Sequence, residues 1–161
     1  MLRRLLHELQ VECEVTLAGL AHVPACGPVM VVANHPHGLL DGLMLGDTLL
    51  RVRRDVKILT NRLLASIPEL EEHCIFIDPF GGPAAARGNH RALRQALDWL
   101  SAGKLLAMFP AGEVSHWQFG SKTVTDPKWC ETAARLIRRT RAAVVPAFIA
   151  GENSAGFQLL G

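Results

Sequence analysis

The chain has 161 residues, which is enough for one domain with a sizeable core and too few for two comfortable ones. Hydrophobic residues make up 49% of the sequence and charged residues 20%, which excludes a disordered chain. No run approaches the ~20 apolar residues of a membrane-spanning helix. A formal net charge of +2 argues against nucleic acid as the main partner. We therefore expect one globular domain over residues 1–161.

The first predicted element is a short amphipathic helix at the N-terminus. Leu2, Leu5, Leu6 and Leu9 follow helical spacing and do not form the unbroken apolar core of a signal peptide. Such a helix can lie on a membrane or pack against the domain, and the sequence leaves both interpretations open.

Beyond it, short apolar runs alternate with helical patterns. The runs predict buried strands at 29–33, 56–59, 74–77, 104–109 and 144–149. The helical patterns cover residues 41–52, 89–100 and 130–141. This alternation is typical of an α/β domain with a largely parallel central sheet flanked by helices. Ligands of such sheets bind beyond the carboxyl ends of the strands, so we expect the chemistry there.

Arginines and cysteines give weaker signals. The arginine-rich runs 51–54 and 135–141 are read as solvated helix faces or as a basic rim that meets anionic lipid headgroups. The cysteines are scattered without a CxxC pair, which predicts neither a zinc site nor a disulfide framework and favours a reducing compartment. They are Cys13, Cys26, Cys74 and Cys130.

The stretch VVANHPHGLLDG at 31–42 begins within the apolar run 29–33 and extends beyond it. Pro36 disfavours helical geometry at the preceding residue, so we place His35 in a loop and Asp41 at the start of the next helix. Six residues apart on one helix, the two side chains could not meet. A loop followed by a helix start lets Asp41 fold back to one ring nitrogen of His35 and leaves the other free to accept a proton. That is the base and orienting carboxylate of acyl transfer.

Three alternatives stay open for these residues. His37 lies four residues before Asp41, so it would share a helical face with Asp41 if the helix began early. Asp41 could also simply cap the helix, with the histidines in a polar turn. A metal site formed by His35, His37 and Asp41 is the third alternative, although no HExxH pattern is present.

ANHPHGLLDG resembles the signature of the glycerolipid acyltransferase family, of the lysophosphatidic acid acyltransferase type. Three further blocks follow in the family's order: CIFIDPFGG at 74–82, FPAGEVS at 109–115 and VVPAFIAG at 144–151. Five residues, where the family usually has four, separate His35 from Asp41, and this HX5D spacing resembles the hemolysin-like acyltransferase branch with its NHPxGxxDG pattern.

The resemblance implies a glycerol-phosphate-acyltransferase-like fold and an enzyme of lipid biosynthesis. Such an enzyme transfers a fatty acyl group from acyl-CoA or acyl-carrier protein to a hydroxyl of a lysophospholipid or related lysolipid. It implies His35 as the base, Asp41 as its partner, no metal or other cofactor, and peripheral contact with the cytoplasmic face of a membrane. The expected substrate-binding residues are Asn34, His37, Arg87, Phe109, Pro110, Gly112 and Glu113.

The sequence departs from the family where arginines are associated with the acceptor's phosphate. Pro79 and Val114 occupy those positions, and Arg87 is the expected substitute. A non-phosphate acceptor such as a lyso-ornithine lipid is therefore an alternative. Glu113 is a partner for a cationic headgroup or for a structural arginine. The apolar ending GFQLLG suggests that a longer chain continues beyond residue 161, so an inactive, truncated, lipid-binding member is another alternative.

Three remaining segments give weaker signals. The glycine-rich segment 80–88 matches neither GxGxxG nor a phosphate loop, and we interpret it as a flexible binding loop. Trp117, Phe119 and Trp129 lie in a basic, polar stretch and either contact lipid or pack under a loop. GENSAG at 151–156 only approaches the GxSxG pattern, which disfavours a serine hydrolase.

Overall fold

The central sheet has five parallel strands in this computed structural model, which describes residues 2–78, 83–120 and 122–160. Its strands are β1 (Val29–Ala33), β2 (Val56–Asn61), β3 (Cys74–Ile77), β4 (Leu105–Met108) and β7 (Ala143–Ala147). The spatial order is β3-β2-β4-β1-β7. A separate antiparallel hairpin is formed by β5 (His116–Gln118) and β6 (Thr123–Thr125). The predicted α/β class with a parallel sheet is confirmed.

Helices flank the sheet. They are α1 (Leu2–Glu8), α2 (Leu17–Leu20), α3 (Leu39–Leu50), α4 (Pro83–Ser101), α5 (Thr132–Thr140) and α6 (Ala155–Leu160), with short 3-10 helices at Arg62–Ser66 and Pro68–His73. Within the described ranges, no helix combines the length and the apolar character needed to cross a bilayer.

Strand β1 shows why the apolar runs form the sheet's interior. All five of its residues are buried, because successive side chains point to opposite faces and both faces are covered. Met30 and Val32 pack in the cluster that includes α4 and α5 residues, whereas Val29 and Val31 pack in the cluster that includes α3 residues. Helices on both faces leave the carboxyl ends of the strands as the open edge where a ligand can enter.

Helix α1 packs against the domain, which is one of the two interpretations of its leucines. Leu2 and Leu6 are buried in a cluster with Leu43 of α3. Gly46 allows this close approach, since a Cβ atom built there would lie 2.7 Å from Leu2 Cδ1. Leu9, beyond the helix, is exposed.

Helix α4 begins earlier than predicted. The sequence analysis began the helix at residue 89 and assigned 80–88 to a flexible loop, but α4 starts at Pro83. That assignment is wrong for residues 83–88, where proline suits the first helical position and the alanines that follow have the highest helix propensity. Residues 79–82 lie outside the described part of the chain.

Arg53 corrects the interpretation of the first arginine-rich run. Its side chain is buried and donates to both carboxylate oxygens of Asp55, with distances of 2.9 and 2.5 Å. It also donates to the backbone carbonyls of Pro24, Gly27 and Gly103. Arg53 therefore ties together the segments that lead into β1, β2 and β4. In the second run, by contrast, the arginines are exposed, which agrees with both interpretations.

Asp55→Ala should destabilise the fold by about 1–3 kcal/mol, because it leaves the buried Arg53 guanidinium without its counter-ion. Hydrogen bonding to Arg53 holds the pKa of Asp55 below its ordinary value. A carboxylate with a lowered folded-state pKa stabilises the fold above its unfolded-state pKa, and this contribution is lost as pH falls through the folded value. Urea unfolding at pH 7 and pH 3 measures both effects.

The matched control is Asp98→Ala, which removes an exposed carboxylate from α4. It should change the free energy of unfolding by less than about 0.5 kcal/mol. Equal losses in the two variants would contradict the structural role of the Arg53–Asp55 pair.

Candidate active site

A largely apolar cavity of about 860 Å³ opens beyond the carboxyl ends of the strands. Its wall includes His35 after β1, Asn61 at the end of β2, Ile77 at the end of β3 and Phe109 after β4. Apolar side chains from α1, α3 and the 3-10 helices also line it: Leu2, Leu39, Leu43, Leu63, Leu64 and Leu70. The cavity lies at the edge where the sheet architecture predicted chemistry.

His35 and Asp41 meet as the sequence predicted. His35 lies in the loop between β1 and α3, and its Nδ1 is 2.9 Å from Asp41 Oδ2 in the first turn of α3. Gly38, with φ of 67°, turns the chain so that the helix start folds back over the histidine. An ionised Asp41 only accepts hydrogen bonds, so Nδ1 is then the donor in this pair and the lone pair of a neutral imidazole lies on Nε2.

Asp41 is fully buried, and two hydrogen bonds fix the position of its carboxyl group. Oδ2 lies 2.9 Å from His35 Nδ1 and accepts a hydrogen bond from the backbone N–H of His37 at 2.8 Å. Oδ1 is buried and has no hydrogen-bond partner among the described residues. The residue lies in the first turn of α3, where the helix dipole stabilises negative charge. Asp41 does more than cap the helix, since the oxygen that accepts the His37 N–H just before α3 is also bonded to the ring of His35.

His37 is held away from the cavity. Its ring Nε2 lies 3.1 Å from the carbonyl oxygen of Ala150, and a Cβ at Gly151 would approach Nε2 to 2.8 Å. Its backbone, not its ring, contacts Asp41. The ring contact with Asp41 thus belongs to His35, and His37 attaches the loop to the segment after β7. In the described ranges, no group of three His, Cys, Asp or Glu side chains is arranged to hold a metal ion.

The segment after β4 forms the wall beside His35. The Phe109 ring stacks on the imidazole, with centroids 4.1 Å apart and an interplanar angle of 18°. Pro110 is fully buried, and Gly112 turns the chain with φ of 77°. The Gly112 amide donates to the Phe109 carbonyl at 3.1 Å, so this amide is used within the turn. Gly112 and the exposed Glu113 line the cavity.

Asn34 and Arg87 lie outside the cavity wall. The amide of Asn34 donates to the carbonyl of Ile149 at 2.8 Å and accepts from its N–H at 2.7 Å, so Asn34 joins the β1 loop to the segment after β7. Arg87 is exposed on α4. Substrate contact by either residue stays a prediction.

The sequence analysis missed the residues that hold the backbone of His35. Ser115, Asp126 and Trp129 form a hydrogen-bonded group behind the histidine. Ser115 lies in the block FPAGEVS, but neither its role nor that of Asp126 has a local sequence signal. The contact between His35 and Asp126 spans 91 residues.

Cys74 lines the cavity with an uncharged thiol. Burial raises the pKa of its thiol to about 11, so the group stays protonated at neutral pH. Along the described chain, all four cysteines are free thiols.

The site thus combines a histidine–carboxylate pair with a largely apolar cavity at the carboxyl ends of a parallel sheet. A family model described as Acyltransferase matches residues 3–160. The chain belongs to this acyltransferase family, as the sequence resemblance predicted.

Two curated relatives carry the same name, lyso-glycine lipid O-acyltransferase. The protein from Phocaeicola vulgatus is 30% identical over 148 residues, which cover 91% of this chain and 50% of the relative. The protein from Bacteroides thetaiotaomicron is 31% identical over 155 residues, covering 91% of this chain and 52% of the relative. The chain spans about half the length of these relatives.

Proposed function

We propose that this protein transfers a fatty acyl group from a thioester donor to a hydroxyl of a lysolipid. The observation that carries the proposal is the His35–Asp41 pair, 2.9 Å apart, at the wall of the apolar cavity. A thioester is already activated, so the enzyme mainly has to deprotonate the acceptor hydroxyl and hold it near the carbonyl.

The mechanism uses His35 twice. Its Nε2 takes the hydroxyl proton as the acceptor oxygen attacks the thioester carbonyl, and the carboxylate of Asp41 stabilises the imidazolium that forms. The tetrahedral intermediate collapses with cleavage of the carbon–sulfur bond. The imidazolium then returns its proton to the departing thiolate, so the products are an ester and a free thiol.

The donor is acyl-CoA or acyl-carrier protein, since both present the same thioester. The apolar cavity supports a fatty chain on either carrier, because its leucine-rich wall gains from burying methylene groups.

For the acceptor, we favour a lysolipid without a phosphate headgroup, of the lyso-glycine lipid kind. No arginine or lysine is among the described residues that line the cavity. The positions where the family carries phosphate-associated arginines are Pro79 and Val114. Both relatives are named for a lyso-glycine lipid. A phosphomonoester would enter this cavity without an arginine or lysine partner, which is costly in an apolar surrounding.

A free-thiol release assay tests donor and acceptor together. The acceptors are lyso-glycine lipid, lyso-ornithine lipid and lysophosphatidic acid. Each acceptor is assayed with two donors, CoA and acyl-carrier protein, that carry the same acyl chain. We expect the lyso-glycine lipid to react at least about tenfold faster than lysophosphatidic acid, the ratio given by 1.4 kcal/mol in transition-state binding. A preference for lysophosphatidic acid would overturn the acceptor assignment. Vesicle binding without thiol release from any pair would favour the inactive, lipid-binding alternative.

We also propose peripheral contact with a membrane, on its cytoplasmic face. Exposed apolar side chains supply the contact. Leu39 and Leu63 line the cavity and are exposed, while Trp117 and Phe119 lie on the β5–β6 hairpin. Phe119 is 89% exposed, and Lys122 follows it across the turn. Aromatic and lysine side chains of this kind favour the headgroup region of a bilayer.

Phe119→Ser should weaken binding to vesicles containing anionic phospholipid by about tenfold, because burial of one phenyl ring contributes ~1.5–3 kcal/mol. Sedimentation with vesicles measures the change. Val144→Ser is the control. Val144 is 48% exposed but lies near the start of β7, at the amino ends of the strands and away from the cavity. Equal weakening by both substitutions would contradict a contact through the hairpin.

A further inference from the structure

Two carboxylates hold the loop that carries His35. Pro36 has no N–H group, so His35 and His37 supply the backbone donors on either side of it. The N–H of His37 donates to Asp41, and the N–H of His35 donates to Asp126 Oδ1 at 3.1 Å. Asp41 therefore acts on the ring of His35, whereas Asp126 acts on its backbone.

The segment after β4 holds the other side of the same residue. The N–H of Ser115 donates to the carbonyl oxygen of His35 at 2.8 Å. Ser115 is buried, and its hydroxyl donates to Asp126 Oδ1. Both backbone polar groups of His35 are thus bound by residues that also bind each other.

Asp126 is itself fixed in orientation. Its Oδ1 accepts from His35 and Ser115, and its Oδ2 accepts from Trp129 Nε1 at 2.8 Å. An ionised carboxylate is acceptor-only, and hydrogen bonds to it are shorter and stronger than bonds between neutral groups. Three donors on two oxygens leave the carboxylate little rotational freedom.

The backbone of His35 determines where its ring can go. The ring must stack on Phe109 and reach Asp41 Oδ2 at the same time. A rotation of the peptide at His35 would move Nε2 relative to the cavity, and a displacement of 1 Å in a reacting group can lower a rate about 10²-fold.

We propose that Asp126 is a positioning residue for His35, acting through the His35 backbone N–H and held in place by Ser115 and Trp129. The proposal rests on the proposed function, since it assigns Asp126 to the placement of the proton-accepting imidazole. Asp126 is not among the described residues that line the cavity, and its hydrogen bond to His35 is to the backbone N–H.

The first experiment is a double-mutant cycle on thiol release. Asp126→Ala should lower kcat ~10–100-fold and leave KM within about twofold. Asp126→Asn should recover part of the loss, because its amide oxygen can still accept from His35. In a His35→Ala background, Asp126→Ala should lower the residual rate by less than about twofold. Asp98→Ala, on the exposed face of α4, is the control in both backgrounds. Equal fold losses in both backgrounds would overturn the proposal.

The second experiment needs no substrate. The His35 Nδ1 proton, bonded to Asp41, should give a slowly exchanging downfield NMR signal in the wild type and in Asp98→Ala. We expect Asp126→Ala to broaden or abolish it, and Asp126→Asn, which keeps an acceptor oxygen but loses the negative charge, to broaden it less; the asparagine variant carries the measurement if the alanine variant does not fold. An unchanged signal in the Asp126 variants would overturn the proposal. Loss of the signal in a chain that acylates no acceptor would contradict the proposed function alone.

Discussion

His35→Ala is expected to lower turnover about 10²–10⁴-fold, the range that a positioned general base contributes. The variant should still fold but lose about 1–3 kcal/mol of unfolding free energy, because the largely buried ring stacks on Phe109 and its removal takes a hydrogen-bond partner from the buried Asp41. Thiol release from acyl-CoA with a lyso-glycine lipid measures kcat, and thermal unfolding measures the stability. The donor's KM should stay near the wild-type value, since the imidazole acts on the acceptor's proton.

Two other histidines serve as comparisons. His90 is exposed on α4, and His90→Ala should leave both kcat and KM unchanged. His37→Ala should reduce activity less than His35→Ala, because its ring bonds Ala150 and its backbone N–H can still reach Asp41. A larger loss from His37→Ala would move the base to that residue and contradict the assignment.

Asp41→Asn is expected to lower kcat about 10²–10⁴-fold with little change in KM. The asparagine oxygen can take the place of Oδ2 and keep the bonds to His35 and to the His37 N–H. Its amide group then occupies the buried site of Oδ1, which has no described partner. What the variant loses is the negative charge that stabilises the imidazolium.

The comparison for this variant is Asp47→Asn, which changes another largely buried aspartate of α3. Asp47 pairs with Arg51 and Arg3 and does not line the cavity. Asp47→Asn should keep at least about half of the wild-type kcat, since an ion pair with exposed arginines contributes ~1 kcal/mol or less to stability. Near-wild-type turnover in Asp41→Asn would show that the carboxylate is not needed for catalysis.

The sheet and the His35–Asp41 contact could be predicted because both follow from local rules. A strand buried on both faces needs an unbroken apolar run, and VMVVA at 29–33 is one. Pro36 and Gly38 interrupt the chain before α3, which brings Asp41 back to His35. The start of α4 was missed because Gly88 was read as part of a loop, although proline and alanines precede it.

The hydrogen bonds that hold the site in place could not be predicted, since they join residues that are far apart in the chain. Asp126 has no neighbour in sequence that indicates a bond to His35, and Arg53 resembles its exposed neighbours until the carbonyls of Gly27 and Gly103 surround it. The strands β5 and β6 have three residues each and little apolar alternation. Such elements become visible only when the tertiary structure is known.

The reciprocal bonds between Asn34 and Ile149 have a consequence for the order of folding during synthesis. The loop that carries His35 leaves the ribosome early, but the groups that hold it come from residues 109–151. A nascent chain that ends before Ile149 already contains both members of the His35–Asp41 pair. The bonds from Asn34 to Ile149 and from His37 to Ala150, which tie the loop to the segment after β7, can form only once those residues have been synthesised.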